Sequence, residues 1–336
     1  MGSITSSDSP FTLTIDWLAF TLPDASTEDV FAVVGGEWTK TETGFRGYPL
    51  SWILADGGEG VGKMGTGALR RLREVHTDLS GGIVSSWEIE KVRTLLRWIV
   101  EQKGHVTRID CALDDRRALV PLARIKEAVQ AGQVVTRAHD LEERGKSSLR
   151  SGETKGATLY FGSPTSQTRL RIYDKRLELQ HKGRENWPEY GVRWELELKK
   201  ERAHACAEAL GVLEHEMWQE FIVSFLRSYI DFRETTREED TWERCQAPLV
   251  DWWETLTQGF RKGRLTIEQA ERTIEEVKAW VVRSVAPTLS ALRDAPEAGP
   301  VWLDRTIEAG RMRRREKHRR LLRGQKPKQS YVLKPP

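Results

Sequence analysis

A tyrosine set among cations is the feature of this chain best suited to chemistry. Tyr173 closes an alternating run, Arg169–Tyr173, and is bracketed by Arg169, Arg171, Lys175 and Arg176. At a strand end its hydroxyl would lie near solvent in a dense positive field, and a phosphate would be drawn there. A phenol is a weak nucleophile at neutral pH, with an unperturbed pKa of roughly 10. Attack on a phosphodiester therefore needs neighbouring cations or a metal to stabilise the phenolate and the pentacovalent transition state. Tyr160 lies one strand earlier, between Leu159 and Phe161, and reads as packing.

Two acidic pairs could supply the metal. In Arg108–Asp114 (RIDCALD), Asp110 and Asp114 alternate with Ile109, Cys111 and Leu113. In Val192–Leu198 (VRWELEL), Glu195 and Glu197 alternate with Trp194, Leu196 and Leu198. Alternation puts each pair on one face of its strand. If the strands are neighbours, the acids converge on a patch suited to Mg²⁺ or Mn²⁺. Arg108 and Arg193 occupy the same two faces, so cross-strand salt bridges are the competing reading. None of the seven histidines forms a His-x-His pair.

The Gly-rich run Gly57–Gly67 (GGEGVGKMGTG) satisfies GxGxxG through Gly60, Gly62 and Gly65, and nearly satisfies a P-loop. Met64 stands where a magnesium-binding Ser or Thr is required, and no helix start follows to receive phosphates. A hairpin or loop is the favoured reading.

Around these residues the elements alternate in type. Phe11–Phe20 reads as a strand, and residues 21–68 as strands joined by loops. Arg73–Gly81 reads as a strand with Glu74, His76 and Asp78 on one face. Ser85 and Glu88 suggest a capping box for a helix reaching about Lys103, with Ile89, Val92, Leu95, Leu96 and Ile99 as its apolar stripe. A short helix is expected over Pro121–Ala131 and a mobile loop over residues 140–155. Ala157–Phe161 and Arg169–Tyr173 form a hairpin, followed by a helix over Asp174–His181. Beyond Lys200 the pattern is helical: Arg202–Leu210, a stripe from Trp218 to Ile230, and a helix capped by Thr266 and Gln269 running through Val285. An α+β fold is expected, a largely antiparallel sheet with helices packed on one side and a helical C-terminal region. The polar segment Asp231–Cys245 suggests a boundary, giving domains over residues 1–230 and 247–310 and a basic tail over 311–336.

The 336-residue chain is 38% hydrophobic and 31% charged, with a net charge of +3 too small to identify a partner. From Arg311 to Pro336 there are eleven Lys/Arg against one acid, a candidate phosphate-binding arm or a solvated tail. Cys111, Cys206 and Cys245 lack CxxC spacing, which argues against a zinc module or a disulfide framework and for a reducing cytoplasm. No apolar run is long enough to span a membrane. Met1, Gly2 and Ser6 fit the loose myristoylation pattern, but a Ser/Thr-rich start explains them equally.

Together HVTRIDCALDD, GATLYFGSPTSQTRLRIYDK and VRWELELK resemble the replication initiation factor (Rep_trans) family of rolling-circle initiators and related relaxases. IDWLAF and DLSGG also look like family features, and the resemblance spans roughly residues 11–230. It implies a DNA nicking and joining enzyme on a sheet similar to that of the HUH endonucleases, with a carboxylate-rich Mg²⁺ or Mn²⁺ site in place of paired histidines. The implied nucleophile is Tyr173, with Lys175 as a phosphate contact or phenolate stabiliser. The implied metal ligands are Asp110 and Glu195, then Glu197, with Asp114 and His76 less firmly placed. Arg169, Arg171, Arg176 and Arg193 would bind DNA. The implied substrate is single-stranded or hairpin origin DNA and the implied partners are a host helicase and polymerase. A homodimer stays open, and a conjugative relaxase or a non-catalytic origin-binding regulator are the alternatives.

Overall fold

A computed structural model describes residues 10–55, 60–69, 71–150, 152, 154–258, 260–263, 274–314, 318, 319 and 322. Its contacts divide the chain into two compact units, the division falling between Leu265 and Thr266.

The first unit opens with β1 (Phe11–Leu22), α1 (Thr27–Val34), β2 (Trp38–Thr41), β3 (Leu50–Ala55), β4 (Val61–Ala68) and β5 (Arg71–Ser80). It continues through α2 (Gly81–Val84), α3 (Ile89–Glu101), β6 (His105–Asp115), α4 (Leu122–Gln130), β7 (Val134–Thr136) and β8 (Leu141–Ser147). Then come β9 (Thr154–Phe161), β10 (Thr168–Asp174), α5 (Lys175–His181), β11 (Val192–Lys199), α6 (Lys200–Val212) and α7 (Trp218–Tyr229). It closes with β12 (Ile230–Phe232), α8 (Thr241–Gln246) and α9 (Asp251–Thr257). Ten strands form one sheet in the order β2-β3-β4-β5-β1-β6-β11-β10-β9-β8, and the pairs within it are antiparallel.

Alternation decides which face each side chain meets. On β6, Ile109, Cys111 and Leu113 are fully buried, as are Trp194, Leu196 and Leu198 on β11. This apolar face is covered by α6, which packs on β6 and β11, and α3 packs on α6 in turn. The predicted stripe of α3 is the buried one: Val92, Leu95, Leu96 and Ile99 lie in the core, with Ile89 packed against it. The α+β architecture expected from the pattern is therefore the one formed.

Three local expectations change. The helix expected from Ser85 starts at Ile89, capped by the Glu88 backbone, because the Ser85 hydroxyl donates to the Gly81 carbonyl of α2 instead. Residues 21–68 hold a helix as well as strands. In α1, Ser26 and Asp29 form a reciprocal capping box. Finally, much of the expected loop 140–155 is β8 and the start of β9. Every β8 residue is exposed, so no apolar alternation marks it, and its pairing with β9 supplies the order.

The glycines of the 57–67 run act through packing. Gly60 precedes β4, Gly62 and Gly65 lie within it, and residues 56–59 fall outside those described. A Cβ on Gly65 would stand 2.8 Å from Tyr48 Cβ and 3.1 Å from the Phe45 carbonyl oxygen. Gly65→Ala should therefore lower stability by about 1–3 kcal/mol through overpacking. A urea midpoint equal to that of the wild type would refute this.

The polar segment after β12 leads into α9, where Trp253 enters the core. Its ring lies 5.0 Å from Trp194 and 5.3 Å from Phe232, and its Nε1–H donates to Asp231 at 2.6 Å. Asp231 is also held by Arg227, Arg233 and Lys262. The second unit contains α10 (Ile274–Trp280), a π-helical turn Val281–Val285, α11 (Ala286–Asp294) and α12 (Gly299–Arg311). The expected caps Thr266 and Gln269, and most of the basic tail, lie outside the described residues. Among the described residues no helix is long and apolar enough to cross a membrane, and the three cysteines are free.

Candidate active site

The face opposite α6 gathers the predicted residues. Strand register sets Asp114 opposite Arg193, Ala112 opposite Glu195 and Asp110 opposite Glu197. On the other side of β11, Arg193 pairs with Tyr173, Glu195 with Arg171 and Glu197 with Arg169. Paired residues share a face. Tyr173, Arg171, Arg193 and Arg108 line a cleft of about 1080 Å³, together with Trp17 and Lys175.

Tyr173 stands at the end of β10, and α5 begins directly after it because the Asp174 side chain accepts from Leu177 N–H at 2.9 Å. Its hydroxyl donates to Glu195 Oε2 at 3.4 Å, while the Arg171 guanidinium donates to Oε1 of the same carboxylate. Burial pushes the phenol pKa up, and the Arg193 guanidinium opposes that shift. Lys175 Nζ lies 5.8 Å from the Tyr173 ring centre and donates to Glu178 at 2.8 Å. Burial pushes the Lys175 pKa down, with Arg193 adding to the effect. A half-buried phenol on a carboxylate, with two guanidiniums and an ammonium nearby, can lose its proton to that carboxylate as a phosphate approaches.

The predicted metal ligands share the face, each bound to a cation. Arg108 donates to both oxygens of Asp110, at 2.9 and 2.6 Å, and pairs with Glu197 at 2.9 Å. Lys199 pairs with Glu197 at 2.6 Å. Asp110 is 1% exposed and Glu195 0%. Burial raises the Asp110 pKa to about 6 against the opposing pull of Arg108. By donor type and register these carboxylates fit a hard cation, with Asp110 facing Glu197 and Glu195 one pair along. Arg108 and Arg171 bond these carboxylates, and no three His, Cys, Asp or Glu among the described residues form a metal cluster. Asp114 belongs to a separate pair: Arg193 forks onto its two oxygens at 2.6 and 2.8 Å and reaches Asp16 at 2.9 Å.

The four arginines expected on DNA sit in different places. Arg171 lines the cleft. Arg193 is buried behind Tyr173. Arg169 is buried as well, bound to Gly162 O and Glu142 and lying 4.2 Å from the Tyr160 ring centre. Arg176 donates to Tyr190 O at 2.7 Å and so ties α5 to the segment before β11. Sequence reasoning missed Asp16, Trp17 and Arg144. Alternation along β1 puts Asp16 on one face with Thr12 and Thr14 but gives it no partner, and the bulge between Ile15 and Trp17 brings Trp17 to that face as well. Arg144 lines the cleft from β8, the strand that shows no apolar alternation.

The replication initiation factor family matches residues 104–307, more than half of the chain. The chain belongs to this family. The match opens just before β6 and contains Asp110, Tyr173, Glu195 and Glu197, while β1–β5 lie before it. A relative in Bacillus subtilis (strain 168), "Putative DNA relaxase NicK", is 28% identical over 200 residues, 59% of this chain and 55% of the relative. The chain thus spans about half the length of that protein. A rolling circle replication initiator protein from Geobacillus stearothermophilus shares the fold, with a TM-score of 0.61 at 21% identity over 74% of this chain and 96% of that one.

Proposed function

We propose that this chain nicks and rejoins one DNA strand as a rolling-circle replication initiator, with Tyr173 as the nucleophile. The observation that carries this is the Tyr173 hydroxyl resting on Glu195 inside a cation-lined cleft, in a member of the replication initiation factor family. The Tyr173 O–H proton passes to Glu195 Oε2 as Oη bonds to phosphorus. The P–O3′ bond breaks, and the 3′ oxygen leaves as a hydroxyl by taking a proton from a water that Glu195 reprotonates, which restores the carboxylate. The product is a 5′-phosphotyrosine ester and a free 3′-OH, and reversing the steps rejoins the strand. Arg171 neutralises the developing charge, Arg193 favours the phenolate from behind, and Lys175 contacts the phosphate. The residues before 231 act as the nicking domain. Arg176 and the basic tail act on the DNA backbone, and a host helicase and polymerase use the released end.

A divalent cation belongs to this reading, with Asp110, Glu195 and Glu197 as the residues to hold it. When bound it would polarise the scissile phosphate. Its test needs no DNA. Mn²⁺ at a hundredfold its Kd should stabilise the protein by about 2.7 kcal/mol, and Asp110→Asn with Glu197→Gln should remove that shift. A wild-type melting temperature unmoved by Mn²⁺ would leave the acids as salt-bridge partners alone.

The DNA relaxase named among the relatives favours a second reading, in which the same site prepares a strand for conjugative transfer. Mixing protein, Mn²⁺ and labelled single strands of candidate origin and transfer sequences, then resolving adducts on a denaturing gel, separates the two. The sequence that supports covalent attachment decides between them, and attachment to none refutes both.

A further inference from the structure

Between β2 and β3 the chain makes a small hairpin whose tip is Phe45-Arg46-Gly47-Tyr48. Phe45 N–H donates to Tyr48 O at 3.0 Å and Tyr48 N–H to Phe45 O at 2.9 Å. Arg46 and Gly47 are both left-handed, at φ 50° and 86°, which makes this a type I′ turn. The tip folds back over Gly65 and His76, with the Phe45 and Tyr48 rings 6.0 and 6.1 Å from the imidazole. Phe45 remains half-exposed between two cations, the Arg46 guanidinium at 5.5 Å and the Lys63 ammonium at 5.8 Å from its ring centre. Arg46 also pairs with Asp78, and among the described residues no carboxylate pairs with Lys63.

An aromatic face between cations is how single-stranded nucleic acid is gripped, bases stacking on the ring and phosphates meeting the charges. A second observation points the same way. Under the tip, His76 Nε2 and Asp78 Oδ1 are buried with no hydrogen-bond partner among the described residues, their side chains 8% and 6% exposed. Buried polar atoms without partners are costly, and a base edge, which offers both a donor and an acceptor, would reach them when the tip shifts to admit it. Lys63 pairs with Asp78 and Gly65 with His76 in register, and Asp78 pairs with Ala19, so these residues share the face that carries Tyr173. From β5 to β10 there are four strand spacings, about 19 Å. Trp17, with Arg108 4.5 Å from its ring centre, lies on the way.

We propose that the Phe45–Tyr48 tip is a nucleotide subsite: an unpaired base stacks on Phe45 while Lys63 and Arg46 hold its phosphates, several nucleotides from the phosphate at Tyr173. The placement of the DNA rests on the nicking reading above. The subsite explains why a hairpin with a left-handed arginine is folded onto the sheet face that carries Tyr173.

The test is anisotropy of fluorescein-labelled oligodeoxythymidine, twenty nucleotides long on the order of a site spanning both positions, titrated with full-length protein at low salt. Phe45→Ala should weaken binding about tenfold, the loss of one stacking contact, and Phe45→Trp should restore it. Lys63→Gln should weaken binding and reduce the salt slope by about one. The melting temperature of Lys63→Gln should match the wild type, since its ammonium is exposed. Wild-type binding with unchanged affinity in Phe45→Ala and Lys63→Gln overturns the subsite and leaves the nicking reading standing. A wild-type protein that binds no single strand overturns both.

Discussion

A Tyr173→Phe variant forms no covalent adduct with a strand that the wild type attacks. The change removes one oxygen atom, and with it the atom that would become the ester bridge. Loss of a nucleophile lowers turnover by about 10⁴-fold or more, which puts the adduct below detection on a gel. Folding should be spared, because among the described residues that hydroxyl makes one hydrogen bond, the long contact of 3.4 Å to Glu195. A well-formed hydrogen bond to a charged group is worth about 1.5–3 kcal/mol, and at 3.4 Å this one should contribute less, so the urea midpoint should move little. Binding to single-stranded DNA should persist, since Arg171 and Lys175 remain in the cleft. The contrasting control is Tyr160→Phe. Tyr160 lies on the same face but is covered by the Arg169 and Arg144 guanidiniums, 4.2 and 5.1 Å from its ring centre. It should nick at close to the wild-type rate. Adduct formation by Tyr173→Phe, or its loss only in Tyr160→Phe, would move the nucleophile elsewhere.

The largest expected effect on stability belongs to Arg193→Ala. Its guanidinium is buried and serves Asp114 and Asp16 at once, with three hydrogen bonds of 2.6–2.9 Å. Asp114 is itself buried, so truncation leaves a carboxylate in the sheet with no counter-charge. Breaking a buried pair from one side costs about 3–5 kcal/mol, a large share of the roughly 5–15 kcal/mol that holds a domain folded. Arg193→Lys should fall between, keeping charge but losing the fork. Pairing Arg193→Met with Asp114→Asn should recover much of the loss, because the unpaired charge dominates the cost. Equilibrium urea unfolding measures all three. If Arg193→Ala lies within 1 kcal/mol of the wild type, the fork is not holding β11 to β6 and β1.

Alternation in RIDCALD and VRWELEL was enough to put Asp110, Asp114, Glu195 and Glu197 on defined faces, because side chains in a strand alternate whatever the strand packs against. The hairpin and the helix after Tyr173 followed in the same way from local pattern. Pairing is a different matter. That β11 sits between β6 and β10, so that Glu195 meets both Arg171 and Tyr173, depends on contacts between residues far apart in the chain. The strand order also decided which arginines could face DNA. Arg169 and Arg193 look alike in the sequence but are enclosed by Tyr160 and Glu142 in one case and by Asp114 and Asp16 in the other.

The sequence by itself determined that a tyrosine ends a strand among cations, with acids on two other strands, since residue type and a period of two suffice for that. Only the tertiary structure decided that the phenol rests on Glu195, that Arg108 closes Asp110 against Glu197, and that Phe45 lies on the face of Tyr173. The physical reason is that burial and pairing across a ten-stranded sheet fix which charges meet, and no local pattern carries that information.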